Sequence, residues 1–219
     1  DAVAMALLEQ AANGATLNPG QTALVTGMAT SGNRLQLAIA PAGTGKTTAM
    51  RALAAAWVED GGTVLGLAPS AAAAAVLREQ TGATTDTLAK LQHTLATHVS
   101  EGARQQRGLP GWVAAIGPDS LVVIDEAGMA GTCDLAAVVE FVLARGGSVR
   151  LIGDDQQLAA IGAGGVLRDI AATHGAVTLS HVVRFTDPAE GAASLALRAG
   201  DPAAIAYYTD QGRIHVGDL

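Results

Sequence analysis

One cysteine, Cys133, occurs in 219 residues. A single thiol excludes an intrachain disulfide and a cysteine-built metal site. Aromatic residues make up only 3% of the chain, so aliphatic side chains and alanine must fill the core. Lysine is scarcer still, with Lys46 and Lys90 alone. The net charge is −7, which argues against a dedicated nucleic-acid-binding module, since such modules are usually basic. It leaves room for a protein that holds one strand through a few polar contacts. No apolar run reaches the roughly 18 residues of a membrane span, so no membrane partner is expected. Residues 1–25 lack a basic start, apolar core and cleavage site. No signal peptide is therefore expected, and the cytoplasm is the expected compartment. The histidines at 93, 98, 174, 181 and 215 show no ligand spacing. His93 and His98 are five positions apart, not the four that put two ligands on one helix face.

What the chain does have is apolar content. Hydrophobic residues make up 49% and charged residues 15%, a balance that buries a core rather than staying disordered. Residues 1–14 read as a helix ending at Gly14. Asn18-Pro19 reads as the cap and first position of a second helix through about Met28. Strands then alternate with helices: a strand at 35–40, a helix at 47–59, a strand at 63–68, and a helix at 71–81 between Ser70 and Gly82. Residues 83–118 are less regular, with a helix around 88–98. A strand at 121–124, a helix at 134–145, a strand at 149–152, a helix at 166–173 and a strand at 177–179 follow, then a helical tail over 188–208. Gly200-Asp201-Pro202 is the one weak linker signal. Short, wholly apolar strands between amphipathic helices predict an α/β fold, a doubly wound parallel sheet with helices on both faces.

Three strand ends carry chemistry. Ala40–Thr48 reads APAGTGKTT and lies between a strand and a helix, as a phosphate-binding loop requires. Gly43 and Gly45 let the backbone approach phosphates, and Thr44 and Thr48 complete the cradle. Lys46 reaches the β and γ phosphates, and the Thr47 hydroxyl reaches Mg²⁺. Ala40 stands where the common pattern begins with glycine, which puts the first bend in question. Leu121–Met129 reads LVVIDEAGM, a buried strand delivering Asp125 to a Mg²⁺ shell and Glu126 to the attacking water. The blander reading of those acids is a helix cap. Val149–Leu158 reads VRLIGDDQQL, with Gln157 placed to meet the γ phosphate or the water and Asp154 to support it. ATP and Mg²⁺ are the expected ligands.

In this order the segments resemble superfamily 1 DNA helicases of the 5′-to-3′ branch. LNPGQ, ending at Gln21, resembles the adenine-reading glutamine motif. APAGTGKTT, DEAGM and GDDQQL resemble motifs I, II and III. GLAPSAAAA and TDTLAKL resemble motifs Ia and Ib, which implies single-stranded DNA contacts at Ser70 and Thr87. LSHVVRF resembles motif IV, which implies a catalytic arginine at Arg184. The resemblance implies a RecA-like first motor domain over 31–219, preceded by N-terminal helices over 1–30 and ending before a second motor domain. Within the branch, TDTLAKL, DEAGM and 184–214 look most like the helicase part of MobF-class conjugative relaxases. That implies a motor unwinding plasmid DNA during transfer, with an upstream relaxase domain as a candidate partner. The alternatives are a helicase like the exonuclease V alpha subunit, a nucleotide-binding docking module without turnover, and a P-loop enzyme unrelated to DNA.

Overall fold

The computed structural model describes residues 3–6, 16–101, 108–156, 165–179, 185 and 187–214. Residues 3–6 are helical, and the rest of the expected helix over 1–14 lies outside the described residues. The first full helix, α1 (Pro19–Thr30), starts where the sequence predicts. Asn18 Oδ1 accepts the Gln21 N–H and Gln21 Oε1 accepts the Asn18 N–H, both at 2.9 Å. This capping box satisfies two otherwise orphaned donors, and Pro19 presets the first turn.

There follow β1 (Leu35–Ile39), α2 (Lys46–Glu59), β2 (Thr63–Ala68), α3 (Ala71–Thr81), β3 (Thr84–Thr87), α4 (Leu88–Glu101) and α5 (Gly111–Ala114). Then come β4 (Ser120–Ile124), a 3₁₀ turn (Ala127–Met129), α6 (Thr132–Ala144), β5 (Ser148–Gly153), α7 (Val166–His174) and β6 (Val177–Thr178). Last are α8 (Pro188–Arg198) and α9 (Ala203–Asp210). Among the described residues no helix is long and apolar enough to cross a membrane.

The strands form one parallel sheet in the order β3-β2-β4-β5-β1-β6. Alternate residues of each strand face opposite layers. Leu37, Leu67, Val122, Ile124 and Leu151 pack against α4, α6 and α7. Ala38, Leu121, Val123 and Ile152 pack with Leu24, Val25 and Met28 of α1 and Met50 and Leu53 of α2. Burial on both faces is what forces the strands to be apolar throughout.

Arg150 in β5 breaks that pattern, being 0% exposed. Its guanidinium donates to Met28 O from Nε at 3.0 Å and Nη2 at 2.8 Å, and from Nη1 to Val149 O at 3.0 Å. Burial pushes its pKa down to about 10, still a cation at neutral pH. It fastens the last turn of α1 to the sheet.

One stretch departs from the sequence reading. Thr84–Thr87 was expected to be irregular and is strand β3, paired with Leu65–Ala68 of β2. It has no apolar run because it pairs on one side only. Thr85 is buried and satisfied instead, its hydroxyl donating to Ala74 O at 2.7 Å. The helical tail forms α8 and α9, with the break falling at the linker signal Gly200-Asp201-Pro202, where Gly200 has φ 75°.

Candidate nucleotide-binding site

Strands β4, β5 and β1 are neighbours, so the segments that follow them emerge side by side, about 5 Å apart. In an open α/β sheet this carboxyl edge is where ligands bind. The loop after β1 turns through Gly43 (φ 83°) and Gly45 (φ 74°), a backbone region that costs residues with a Cβ. Gly45 is the N-cap of α2 and supplies no side-chain cap, which leaves first-turn N–H groups to an anion. Thr44 is buried and its hydroxyl donates to Pro41 O at 2.8 Å, pinning the loop from within. Thr47 and Thr48 stand half-buried in the first turn. Ala40 sits without strain in the place of the usual glycine. Its N–H donates to Gly153 O at 2.8 Å and extends the ladder, and its methyl is buried in the core.

Lys46 Nζ lies 2.8 Å from Asp125 Oδ1 and 2.6 Å from Glu126 Oε1. Burial alone would lower its pKa, but the two carboxylates, Asp125 foremost, outweigh burial and hold it above the ordinary lysine value. The Asp125 N–H donates to Leu67 O at 2.9 Å, and Asp125 Oδ1 accepts the Glu126 N–H at 2.8 Å. Glu126 has φ 50°, a left-handed conformation that no other non-glycine shares among the described residues. Such a conformation persists only where its surroundings impose it. Here the Asp125 contact and the Lys46 pair do so.

Asp154 follows β5 and is 7% exposed. Gly153 lets the 3₁₀ turn and α7 pack closely on the end of β5, since a Cβ there would meet Leu167 Cδ1 at 2.9 Å and Gly128 N at 3.3 Å. Burial raises the Asp154 pKa, but a hydrogen bond from Arg198 and the positive charges of Arg198 and Lys46 more than compensate. The carboxyl is held below its ordinary value.

Gln21 is placed against the phosphate loop. It is 4% exposed, and Nε2 donates to Gly45 O at 3.0 Å and Thr44 O at 3.4 Å. Ser70 and Thr87 lie on the same sheet edge, after β2 and at the end of β3, and both hydroxyls cap helices. Ser70 Oγ accepts the Ala73 N–H and Thr87 Oγ1 the Lys90 N–H, each at 3.1 Å. The other lysine, Lys90, pairs with Asp86 at 2.6 Å and lies 5.8 Å from the Trp112 ring. Gln157 and Arg184 lie outside the described residues. The sequence reading missed Arg198, which meets Asp154 and Asp155 across more than forty residues; no local pattern could have paired them.

A glycine-lined loop, a lysine held by two acids and a parallel sheet carrying them on one edge define a P-loop nucleotide-binding domain. The profile of the AAA domain family matches residues 16–219, and the chain belongs to that family. It is similar to the probable conjugal transfer protein TraA of Sinorhizobium fredii (strain NBRC 101917 / NGR234), with 31% identity over 187 residues. That match covers 85% of this chain and 16% of the relative. Two further conjugal transfer proteins TraA, from Rhizobium radiobacter and Agrobacterium fabrum (strain C58 / ATCC 33970), are also 31% identical. They cover 77% and 83% of the chain, and 14% and 15% of their own lengths. The chain thus spans about a sixth of the length of these relatives. Among solved structures, unliganded Pif1 from Bacteroides sp matches with a TM-score of 0.49 and 17% identity, over 84% of this chain and 46% of that one.

Proposed function

We propose that this domain binds and hydrolyses ATP as the first motor domain of a DNA helicase, in the helicase part of a conjugative relaxase. The observation that carries the reading is Lys46 meeting Asp125 and Glu126 beneath an uncapped helix N-terminus. The residues fit Mg²⁺-ATP. The first-turn N–H groups of α2 and Lys46 suit phosphate oxygens, while Thr47 and Asp125 offer oxygen ligands to a cation that keeps much of its water shell. The bound cation would neutralise charge on the phosphates. Glu126 is placed to orient and deprotonate water, and Gln157 is proposed to contact the γ phosphate or that water. Gln21 would meet the adenine by giving up its 3.4 Å contact with Thr44 O, the longest it makes. The conjugal transfer names of the relatives favour the relaxase reading over the exonuclease one. The relatives' greater length supports a longer parent, for which a second motor domain, an upstream relaxase domain and a cytoplasmic setting are proposed.

Lys46→Ala tests the nucleotide site. It is expected to weaken ATP affinity by one to two decades, roughly 1.5–3 kcal/mol for a charge-assisted contact. Calorimetric titration giving equal affinities would remove the basis of the reading.

Single-stranded DNA is the proposed track, crossing the N-termini of α3 and α4 at Ser70 and Thr87. A hydroxyl that accepts from its helix can still donate outward to a phosphate. With Lys90 tied to Asp86 and a net charge of −7, binding is expected to be sequence-tolerant and shallow in its salt dependence, because the slope follows the number of phosphates neutralised. A steep slope in an anisotropy titration would contradict this.

A further inference from the structure

The turn after β5 is gripped from a distant helix. Arg198 closes α8, and its Nε donates to Asp154 Oδ1 at 3.0 Å and Oδ2 at 3.2 Å. Its Nη2 donates to Asp155 Oδ1 at 2.7 Å and to Asp154 Oδ1 as well. Asp154 Oδ1 also accepts the Gln156 N–H at 3.0 Å. One buried carboxylate therefore holds the turn leading to Gln157 on one side and α8 on the other. Helix α8 is itself braced. Asp187, its N-cap, accepts the Tyr207 hydroxyl of α9 at 2.8 Å, and Glu190 pairs with Arg213 beyond α9.

We infer that Arg198 is a positioning residue for ATP turnover, acting through Asp154 to hold the Asp154–Gln156 turn in register with the α8–α9 pair at the nucleotide edge of the sheet. The inference rests on the ATPase reading above. A forked guanidinium fixes direction as well as distance, which a mobile lysine or a water does not. Asp154 is nearly buried, so loss of its partner leaves a carboxylate with little solvent to turn to, and the turn must rearrange. The pair differs in this from an exposed surface ion pair such as Lys90–Asp86, whose loss water readily absorbs. The phosphate-loop cation Lys46 acts on the same carboxylate electrostatically.

The test is made in the full-length protein with Arg198→Ala, Arg198→Lys, Asp154→Asn and the Ala/Asn double variant. Melting temperature, affinity for a fluorescent ADP analogue, and kcat and KM for ATP are measured for each. Arg198→Ala is expected to lower kcat about tenfold or more while ADP affinity stays within about twofold, the pattern of lost positioning rather than lost binding. Arg198→Lys should restore part of kcat, and the double variant should be no worse than the poorer single one, because the two residues act as a unit. An active wild type with Arg198→Ala kcat within about twofold of it overturns this inference alone, since a misplaced turn costs more than that. So does a joint fall of kcat, ADP affinity and melting temperature, which marks loss of the fold. A wild type without ATPase activity overturns the ATPase reading and this inference with it.

Discussion

Glu126→Gln is expected to lower ATP turnover by about 10²–10⁴-fold, the usual contribution of a positioned general base. The substitution keeps the side chain's shape and removes its charge. Glu126 leaves β4 in a left-handed conformation and ends 2.6 Å from Lys46, so its carboxylate is aimed into the phosphate site rather than along the strand. Glutamine has the same backbone preferences, so the local strain is unchanged. Nucleotide affinity should hold or rise, since Lys46 then has one carboxylate, Asp125, in place of two competing with phosphate oxygens. Phosphate-release kinetics and a fluorescent-nucleotide titration read the two effects separately. Turnover within a few-fold of wild type would remove Glu126 from the chemistry and leave its ion pair with Lys46 as its whole role.

Arg184→Ala, made in the full-length protein, is expected to reduce turnover by about 10³-fold or more while changing ATP affinity far less. An arginine that meets charge developing on the transferred phosphoryl group acts mainly in the transition state. The expectation comes from the resemblance of LSHVVRF to motif IV, since Arg184 lies outside the described residues. Under the two-domain reading, the 219-residue segment alone hydrolyses ATP slowly and unwinds nothing, and extension through a second motor domain makes turnover DNA-stimulated. Full DNA-stimulated turnover by the 219 residues alone would refute that division of labour. Arg184→Ala and Arg198→Ala share a kcat phenotype but differ in the double-variant test. Only Arg198 should be non-additive with Asp154→Asn.

The phosphate loop, the acidic pair and five of the strands were legible in the sequence because each is a local pattern. A buried parallel strand must be apolar on both faces, and a phosphate loop must place its glycines and lysine at a fixed spacing. Asn18, Ser70 and Gly82 marked helix ends for the same reason, since capping acts over three or four residues. Strand β3 escaped notice because TTDT is held by pairing to β2 and by the contacts of Thr85, neither of which leaves an apolar trace. The engagement of Gln21 with Gly45 was equally hidden, because a glutamine read as a base contact has the same letters as one that braces a loop.

The sequence by itself determined which groups the site contains: Lys46, Thr47, Asp125, Glu126 and the glycines around them. The order β3-β2-β4-β5-β1-β6 decided which of them meet, because it sets β4 and β5 between β2 and β1 and brings residues eighty positions apart to 2.6 Å. Only the tertiary structure could show Arg150 with no acid partner among the described residues yet bonded to backbone carbonyls, or Arg198 fastened to Asp154. Such contacts depend on where whole elements pack, and that is fixed by burial of the two sheet faces, not by the residues beside them in the chain.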